Sequence, residues 1–499
     1  MKYLVSILVV ILLLLGGAYA LLFTQPGNDI LKPVIEKKIA AQVPLPTKLE
    51  TFVLRPDRFD VALQIGNDTR IEAKGTMSLA ARTVDGVYNV DIKELANLQK
   101  LIGTRLNGPF KTHGTIKGDQ KLLRIEGVSD VAGSATDYRL ALRNFTPENL
   151  TAKVAHLHID ELLHLLNQPL YAKGLVDVDA DIPSLDMDNL KGTVVTKITK
   201  GLVHPAPVKR DFNLSLPAPF TFHGDIDTRL AGTKAISRVD FTTAVARLKS
   251  KALTYDIKEA ALSTDYNLHV PDLDRLYFVT NQHMKGKITV TGDVKAGKKG
   301  FSATAHSDTL GGAFDAKVVN NKVNVDIRNI QTVALTDMLL YPHIFDSTAN
   351  MKLDYDTLSK KGELHAVLLD GQILPNKLSF MLQQMANFDI TREVYERTTL
   401  DTTINDKILK SDLYMKSRLT EIKSKDGIID LNRQAIDTTI DIKIRKMFIP
   451  VKLTGKLTDP TIKIEAKDLL KAKAKEELEK KLPANLKNSP AGGLLKNLF

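Results

Sequence analysis

Residues 175–182 read LVDVDADI, and this stretch decides the fold class of the 499-residue chain. Val176, Val178, Ala180 and Ile182 fall on one side of the segment, and three aspartates fall on the other. A side-chain period of two residues is typical of a β-strand with one apolar and one polar face. The stretch therefore predicts a strand that covers something apolar on one side and meets water on the other.

The same period recurs along most of the chain. It is found in DVALQI (60–65), KITV (287–290), KVNVDI (322–327) and TIDIKI (439–444). Turn residues such as Asn, Asp and Gly interrupt it at strand-length intervals. From about residue 46 to residue 464, the sequence predicts a mainly β, antiparallel meander with few helices.

A sheet of this length must cover its apolar face. It can close on itself as a dry sandwich or barrel, or it can curl into an elongated groove that shelters acyl chains. The period alone leaves both outcomes open, but the helices are too few to cover several hundred residues of sheet. In the groove interpretation, the lining residues are Val61, Leu63, Ile65, Val176, Val178, Ile182, Ile288, Val290, Val323, Val325, Ile327, Ile440, Ile442 and Ile444.

Short helices are predicted between some of the strands. A strand, a leucine-rich helix and another strand recur near residues 154, 268 and 323, with unequal spacing, as a loose repeat. Residues 376–387 place several Leu and Met side chains on one helical face. That arrangement suits a helix lying on an apolar sheet.

The amino terminus is apolar from residue 3 to residue 23 and contains no ionisable side chain there. About 20 such residues suffice for an α-helix to cross a bilayer. The alternative is a cleaved signal peptide, because Ala18-Tyr19-Ala20 has the small-x-small pattern of a cleavage site. Both interpretations export the remainder of the chain. The predicted anchor includes Tyr3, Leu4, Leu12, Leu15, Leu22 and Phe23.

Composition excludes several classes of protein. There are 69 Lys and Arg against 58 Asp and Glu, a net charge of +11, but the charges are dispersed and there is no Trp. A nucleic-acid surface would concentrate them in a basic stripe, so anionic lipid head groups fit this charge at least as well. The absence of Cys excludes disulfides, thiolate metal sites and thiol nucleophiles.

No catalytic or metal-binding motif is found. Asp177, Asp179 and Asp181 resemble the start of an EF-hand loop, but the glycine turn that should follow is missing. His156, His158 and His164 could approach a metal, although ordinary histidines in a strand and helix are the simpler interpretation. No nucleophile elbow or P-loop is present. We therefore expect no enzyme activity, no catalytic residues, no metal and no cofactor.

The carboxy-terminal tail is basic, with eight lysines and four acidic residues from residue 467 onward. Residues 468–482 predict an amphipathic helix that ends before Pro483. This helix is interpreted either as a cap on the last strand or as a contact with a membrane or a partner protein.

The order of these features resembles the AsmA-like proteins of Gram-negative bacteria. The most specific stretches are LGGAF (310–314), LDGQI (369–373), KDGIIDL (425–431) and IPVKLTGKLTDP (449–460), and NDILKPVIE (28–36) is similar to the family's first helix. The resemblance implies an inner-membrane anchor, a periplasmic taco-shaped β-groove related to bridge-like lipid transporters, and a role in outer-membrane biogenesis. It implies no catalytic residues.

These observations divide the chain into a transmembrane anchor (1–24), an N-terminal β-groove region (25–300), an AsmA-like C-terminal β-groove region (301–465) and a basic tail (466–499). The expected function is to shelter phospholipid acyl chains in the apolar β-groove for transport toward, or homeostasis of, the outer membrane. The tail could contact an outer-membrane or periplasmic protein, and no nucleic acid is expected. The alternative is a scaffold or assembly factor for outer-membrane proteins.

Overall fold

Alternating apolar and polar side chains favour an extended conformation along most of this chain. The computed structural model describes residues 23–464. The chain divides into two units, Met1–Thr264 (unit 1) and Asp265–Phe499 (unit 2). The 26 strands of the described residues belong to one antiparallel sheet. The prediction of a mainly β, antiparallel meander is therefore confirmed.

In unit 1, each strand from β1 to β13 pairs with the next one along the chain. No described pairing joins the first of these strands to the last. The bounds are β1 Thr47–Leu54, β2 Arg58–Ile65, β3 Thr69–Ser78, β4 Thr83–Ile92, β5 Phe110–Asp119, β6 Leu122–Ser129, β7 Ala135–Arg143, β8 Thr146–His158, β9 Ala172–Ser184, β10 Lys191–Val203, β11 Thr221–Ala231, β12 Lys234–Thr243 and β13 Arg247–Asp256.

Strand β14, Ala261–Val270, contains the division between the units. In unit 2, consecutive strands pair from β15 to β26. Their bounds are β15 Ile288–Gly297, β16 Gly300–Ser307, β17 Ala313–Val319, β18 Lys322–Gln331, β19 Phe345–Asp356, β20 Lys361–Ile373, β21 Val394–Asn405, β22 Ile408–Lys416, β23 Thr420–Asp430, β24 Ala435–Ile444, β25 Met447–Lys456 and β26 Asp459–Ile464.

The described helices precede β1 or connect an even-numbered strand to the following odd-numbered one. In an antiparallel meander all such connections lie at the same end of the strands. The helices are α1 Gln25–Gln42, α2 Gln99–Ile102, α3 Ile159–Leu165, α4 Pro205–Phe212, α5 Tyr277–Thr280, α6 Thr332–Met338 and α7 Lys377–Ala386, with 3₁₀ turns at Leu95–Leu98, Val131–Gly133, Leu273–Leu276 and Ile390–Arg392. The helix predicted over 376–387 is confirmed as α7.

Helix α1 covers the free edge of strand β1. Asn28 donates to the carbonyl of Leu54 and accepts from its N–H, both at 3.1 Å. One and two turns further on, Lys32 donates to the Glu50 carbonyl at 2.8 Å, and Glu36 accepts from the Leu49 N–H at 3.1 Å. Residues four apart share one helical face, so one face of α1 satisfies backbone groups that an edge strand would otherwise leave open.

The described residues of each unit form one cluster of buried hydrophobic side chains. The cluster of unit 1 joins Ile35 and Ile39 of α1 to the apolar faces of the first strands, and Leu49 and Leu63 there are completely buried. The cluster of unit 2 lies beneath α7. These two clusters are the places where the chain covers its own sheet.

Segments of unit 1 recur in unit 2 ten strands further along. His156 and Asn329 both have φ of 56°, and their N–H groups donate to the side chains of Asp177 and Asn350 at 2.8 and 3.0 Å. One backbone hydrogen bond is also repeated. In unit 1 the N–H of Leu95 donates to the Gly108 carbonyl, and in unit 2 the N–H of Leu273 donates to the Gly286 carbonyl, both at 2.9 Å.

Hydroxyl side chains show the same recurrence. On β11 to β14, Thr228 bonds to Ser237 and Ser250 bonds to Thr264, both at 2.8 Å. Each of these residues has a counterpart of the same type 174 positions later in the sequence; Thr228, for example, corresponds to Thr402. The counterparts form the same two pairs, Thr402–Ser411 at 2.8 Å and Ser424–Thr438 at 2.6 Å. A ten-strand pattern is therefore present twice, so the repeat is longer and more regular than the loose one expected from the sequence.

Candidate functional site

The apolar face of unit 1 is covered at β1–β7 and exposed from β8 onward. Strands β9–β13 contribute no residue to the buried cluster of this unit, and the side chains on this face are mostly half-buried. The register aligns them in continuous rows across neighbouring strands. One row consists of Val154, Val178, Thr196, Ile226 and Val239, and the next of Leu157, Val176, Ile198, Gly224 and Phe241. We call these strands the open face of unit 1.

Unit 2 has a comparable exposed region on strands β15–β18, none of which contributes to its buried cluster. The rows there are Ala303, Val318 and Val323; Ala305, Ala316 and Val325; and Ser307, Phe314 and Ile327. Apart from Ser307, these side chains are half-buried. We call these strands the open face of unit 2.

The helices beside the open faces cover little of them. Neither α3, next to β9, nor α5 and α6, on either side of β15–β18, has a buried residue, and α4, between β10 and β11, buries only Val208. A half-buried apolar row with no second layer of side chains over it remains in contact with water. Such rows are the most unusual chemical feature of the described residues.

The predicted lining residues fall into two groups. Val176, Val178, Ile182, Ile288, Val290, Val323, Val325, Ile327 and Ile440 are half-buried. In contrast, Val61, Leu63, Ile65, Ile442 and Ile444 lie in the two buried clusters. Leu63 and Ile442 are each 0% exposed. At these positions the chain's own side chains fill the space that the sequence analysis assigned to a ligand, because α1 and α7 lie there.

The opposite face of the sheet is polar. The side chain of Asp177 accepts from the N–H of His156 where β8 is bulged, so it satisfies a backbone group of the sheet. His158 Nδ1 lies 3.5 Å from Glu161 Oε1. Within residues 23–464, no group of three or more metal-ligating side chains is close enough to hold an ion.

A cavity of about 620 Å³ crosses strands β5–β9 of unit 1. Most of the residues that line it are exposed side chains of the polar face, among them His113, Glu126, Arg139, Lys153 and Asp179. The Tyr138 hydroxyl lies 2.6 Å from those of Tyr88 and Thr112. Burial raises the pKa of Tyr88.

Because Thr112 donates to the Val128 carbonyl, its oxygen accepts from Tyr138, and Tyr138 in turn accepts from Tyr88.

The hydroxyl pairs and this cavity were not predicted. The pairs had a detectable signal, which was the equal spacing of Thr and Ser in residues 228–264 and 402–438. The cavity had none, since only the register brings its residues on five strands together.

The remaining sequence predictions concern the termini. Tyr3, Leu4, Leu12, Leu15, Leu22 and the tail from residue 466 lie outside the described residues. Phe23 precedes α1, packs against the buried cluster, and its carbonyl accepts from Arg55 Nη1 at 3.1 Å. Between residues 23 and 464 no helix has both the length and the apolar character needed to cross a bilayer.

Comparison of the chain with protein-family models, with curated proteins and with solved structures finds no match.

Proposed function

We propose that this chain is a non-enzymatic lipid-handling protein of the AsmA-like kind, in which an apolar β-groove shelters phospholipid acyl chains. The observation that carries the proposal is the half-buried apolar rows of the open faces, over which no second layer of described residues lies. An acyl chain that lies on such a row removes apolar surface from water on both the chain and the protein. The free energy gained is about 0.8 kcal/mol per buried methylene. The polar head group stays in water.

The same proposal includes the location of the chain in the cell. Residues 3–23 anchor the chain in the inner membrane, the remainder lies in the periplasm, and phospholipid moves toward the outer membrane. Continuous rows across consecutive strands suit sliding, since an acyl chain can pass from one strand to the next without leaving apolar surface. No covalent bond is made or broken in this mechanism.

Mass spectrometry of the full chain, purified from membranes in mild detergent, tests the proposal. We expect co-purifying phospholipid, and photo-crosslinking to acyl chains from position 288 on the open face of unit 2. A matched probe at position 289 faces the other side of the sheet and should not crosslink. A chain free of lipid, or equal crosslinking from both positions, would contradict the proposal.

The buried clusters beneath α1 and α7 favour a second function, that of a scaffold for outer-membrane proteins. A body that covers its own sheet needs no lipid to be stable. The same measurement distinguishes the two functions, because a scaffold would be purified without phospholipid.

A further inference from the structure

Helix α4 in unit 1 and helix α7 in unit 2 occupy the same place in the ten-strand pattern. Helix α4 leads into β11 and α7 leads into β21, the strands that carry the first matching threonine of each copy. Both helices end at an asparagine in the left-handed conformation, Asn213 and Asn387, which are 174 positions apart. The side chains of the two helices can therefore be compared position by position.

The two helices differ in polarity at equivalent positions. Leu378, Leu382 and Met385 of α7 pack in the buried cluster of unit 2, where Leu382 is 0% exposed. Their counterparts in unit 1 are His204, Val208 and Asp211. An apolar face on one helix is thus replaced by a largely polar one on the other.

Asp211 explains why α4 does not pack as α7 does. Its carboxylate accepts from Arg210 at 2.6 Å and from the Tyr171 hydroxyl at 3.0 Å. The hydrogen bond from Arg210 lowers the pKa of Asp211 to about 2. An ionised carboxylate is costly to bury on an apolar sheet, so α4 buries only Val208 and covers less of the sheet than α7 does.

The strands beneath the two helices differ in exposure accordingly. Leu248 on β13 is 37% exposed, whereas its counterpart Ile422 on β23 is 4% exposed. Phe241 on β12 is half-buried, and its counterpart Met415 is 6% exposed. The same apolar face is open in one copy of the pattern and covered in the other.

The covered copy is not packed like a permanent core. The hydroxyl of Thr398 is buried there and has no hydrogen-bond partner among the described residues, although buried polar groups are normally paired. The buried Tyr395 hydroxyl lies near Thr420 without a well-formed hydrogen bond. A cavity of about 370 Å³ lies beside α7, lined by Phe380, Met381 and Ile462 among others. Phe380 itself is 60% exposed.

From these observations, and resting on the proposed function, we propose that the sheet face beneath α7 is a second acyl-chain site, which Leu378, Leu382 and Met385 of α7 occupy in place of lipid. Helix α7 acts as a plug on one copy of the groove, and the open face of unit 1 is the unplugged copy. Displacement of α7 exposes to an acyl chain the face that unit 1 presents permanently.

The test exchanges side chains between the two helices in the full chain. The double variant Leu378→His with Met385→Asp gives α7 the residues of α4. The reverse variant, His204→Leu with Asp211→Met, gives α4 the residues of α7. The matched control, Gln383→His with Gln384→Asp, changes the exposed side of α7. Each protein is incubated with phosphatidylethanolamine–phosphatidylglycerol vesicles, re-isolated, and its bound phospholipid is counted by native mass spectrometry.

We expect the α7 variant to gain about one lipid per chain and the α4 variant to lose about one, because one acyl-chain site opens or closes in each. The control should bind as the wild type does. Circular dichroism and thermal unfolding identify variants that do not fold. Both substitutions of the α4 variant lie in unit 1, so the sequence of unit 2 is unchanged in it.

Unchanged lipid content in either folded variant would overturn the plug. Lipid bound by the α7 variant but not by the wild type would support the plug and reject the open face as the resident site. Lipid bound by neither would reject both proposals.

Discussion

Aromatic rings on this sheet lie flat over glycines of the neighbouring strand. A Cβ at Gly127 would overlap the hydroxyl of Tyr88 and approach the Tyr138 ring to 3.0 Å, and a Cβ at Gly224 would meet the Phe241 ring at 2.6 Å. A ring that covers a glycine lies along the sheet and does not project from it. This is one residue-level reason why the apolar face stays accessible.

This packing gives a prediction for Gly127→Ala. The added methyl must push Tyr88 away and break its hydrogen bond to Tyr138, so we expect the free energy of unfolding to fall by about 1–3 kcal/mol. Urea unfolding measures the change. In the Tyr88→Phe background the same substitution should cost less, because the hydroxyl that it displaces is gone. Equal costs in both backgrounds would refute the explanation.

The buried hydroxyl of Tyr395, which lies near Thr420 without a well-formed hydrogen bond, predicts an effect of Tyr395→Phe. Removal of a buried polar atom without a partner should raise the free energy of unfolding by about 1 kcal/mol. Burial also raises the pKa of Tyr395 from 10 to about 12. The folded chain therefore holds this proton more tightly than the unfolded chain, and wild-type stability falls as the pH rises from 10 to 12.

Urea unfolding at pH 8 and pH 11 checks both effects of Tyr395→Phe. The variant should be more stable than the wild type at both values, with a larger difference at pH 11. A variant less stable at pH 8 would show that the hydroxyl has a partner after all.

At the scale of elements, helix α1 covers one edge of the sheet by bonding to the backbone of β1. Asn28→Ala leaves the N–H and the carbonyl of Leu54 without partners in a place where Leu54 is 1% exposed. We expect the free energy of unfolding of unit 1 to fall by about 2–4 kcal/mol, the cost of two unsatisfied buried groups. Asp29→Ala, on the exposed side of the same helix, is the control and should change stability little.

The sequence predicted individual elements well and their contacts poorly. Helix α7 was found from Leu378, Met381, Leu382 and Met385 because a helical face is a local pattern. The hydrogen bonds from α1 to β1 were not found, since the polar residues at 28, 32 and 36 look like any solvated helical face. Their role depends on a strand edge that the sequence does not identify.

At the scale of the whole molecule, the proposed transport requires rows of apolar side chains that are not interrupted. Val178→Asp places a charge between Val154 and Thr196 on the open face of unit 1. We expect lipid transfer between vesicles to fall at least about tenfold, because burying an ionised carboxylate against an acyl chain costs several kcal/mol. The fold should survive, since residue 178 is half-buried.

The control for Val178→Asp is Asp179→Asn, the adjacent position on the polar face of the same strand. It should leave both stability and lipid transfer unchanged. Undiminished transfer by a folded Val178→Asp variant would argue strongly against sliding along this face.

The sequence by itself determined most of the strands, their two faces and the positions of several short helices, α7 among them, because a period of two or of 3.6 residues is a local pattern. The tertiary structure decided which parts of the apolar face are covered. Val178 and Ile442 lie in equally alternating segments, yet one is half-buried and the other completely buried. The difference arises from α7, whose contacts with the sheet join residues far apart in the chain and therefore leave no local pattern.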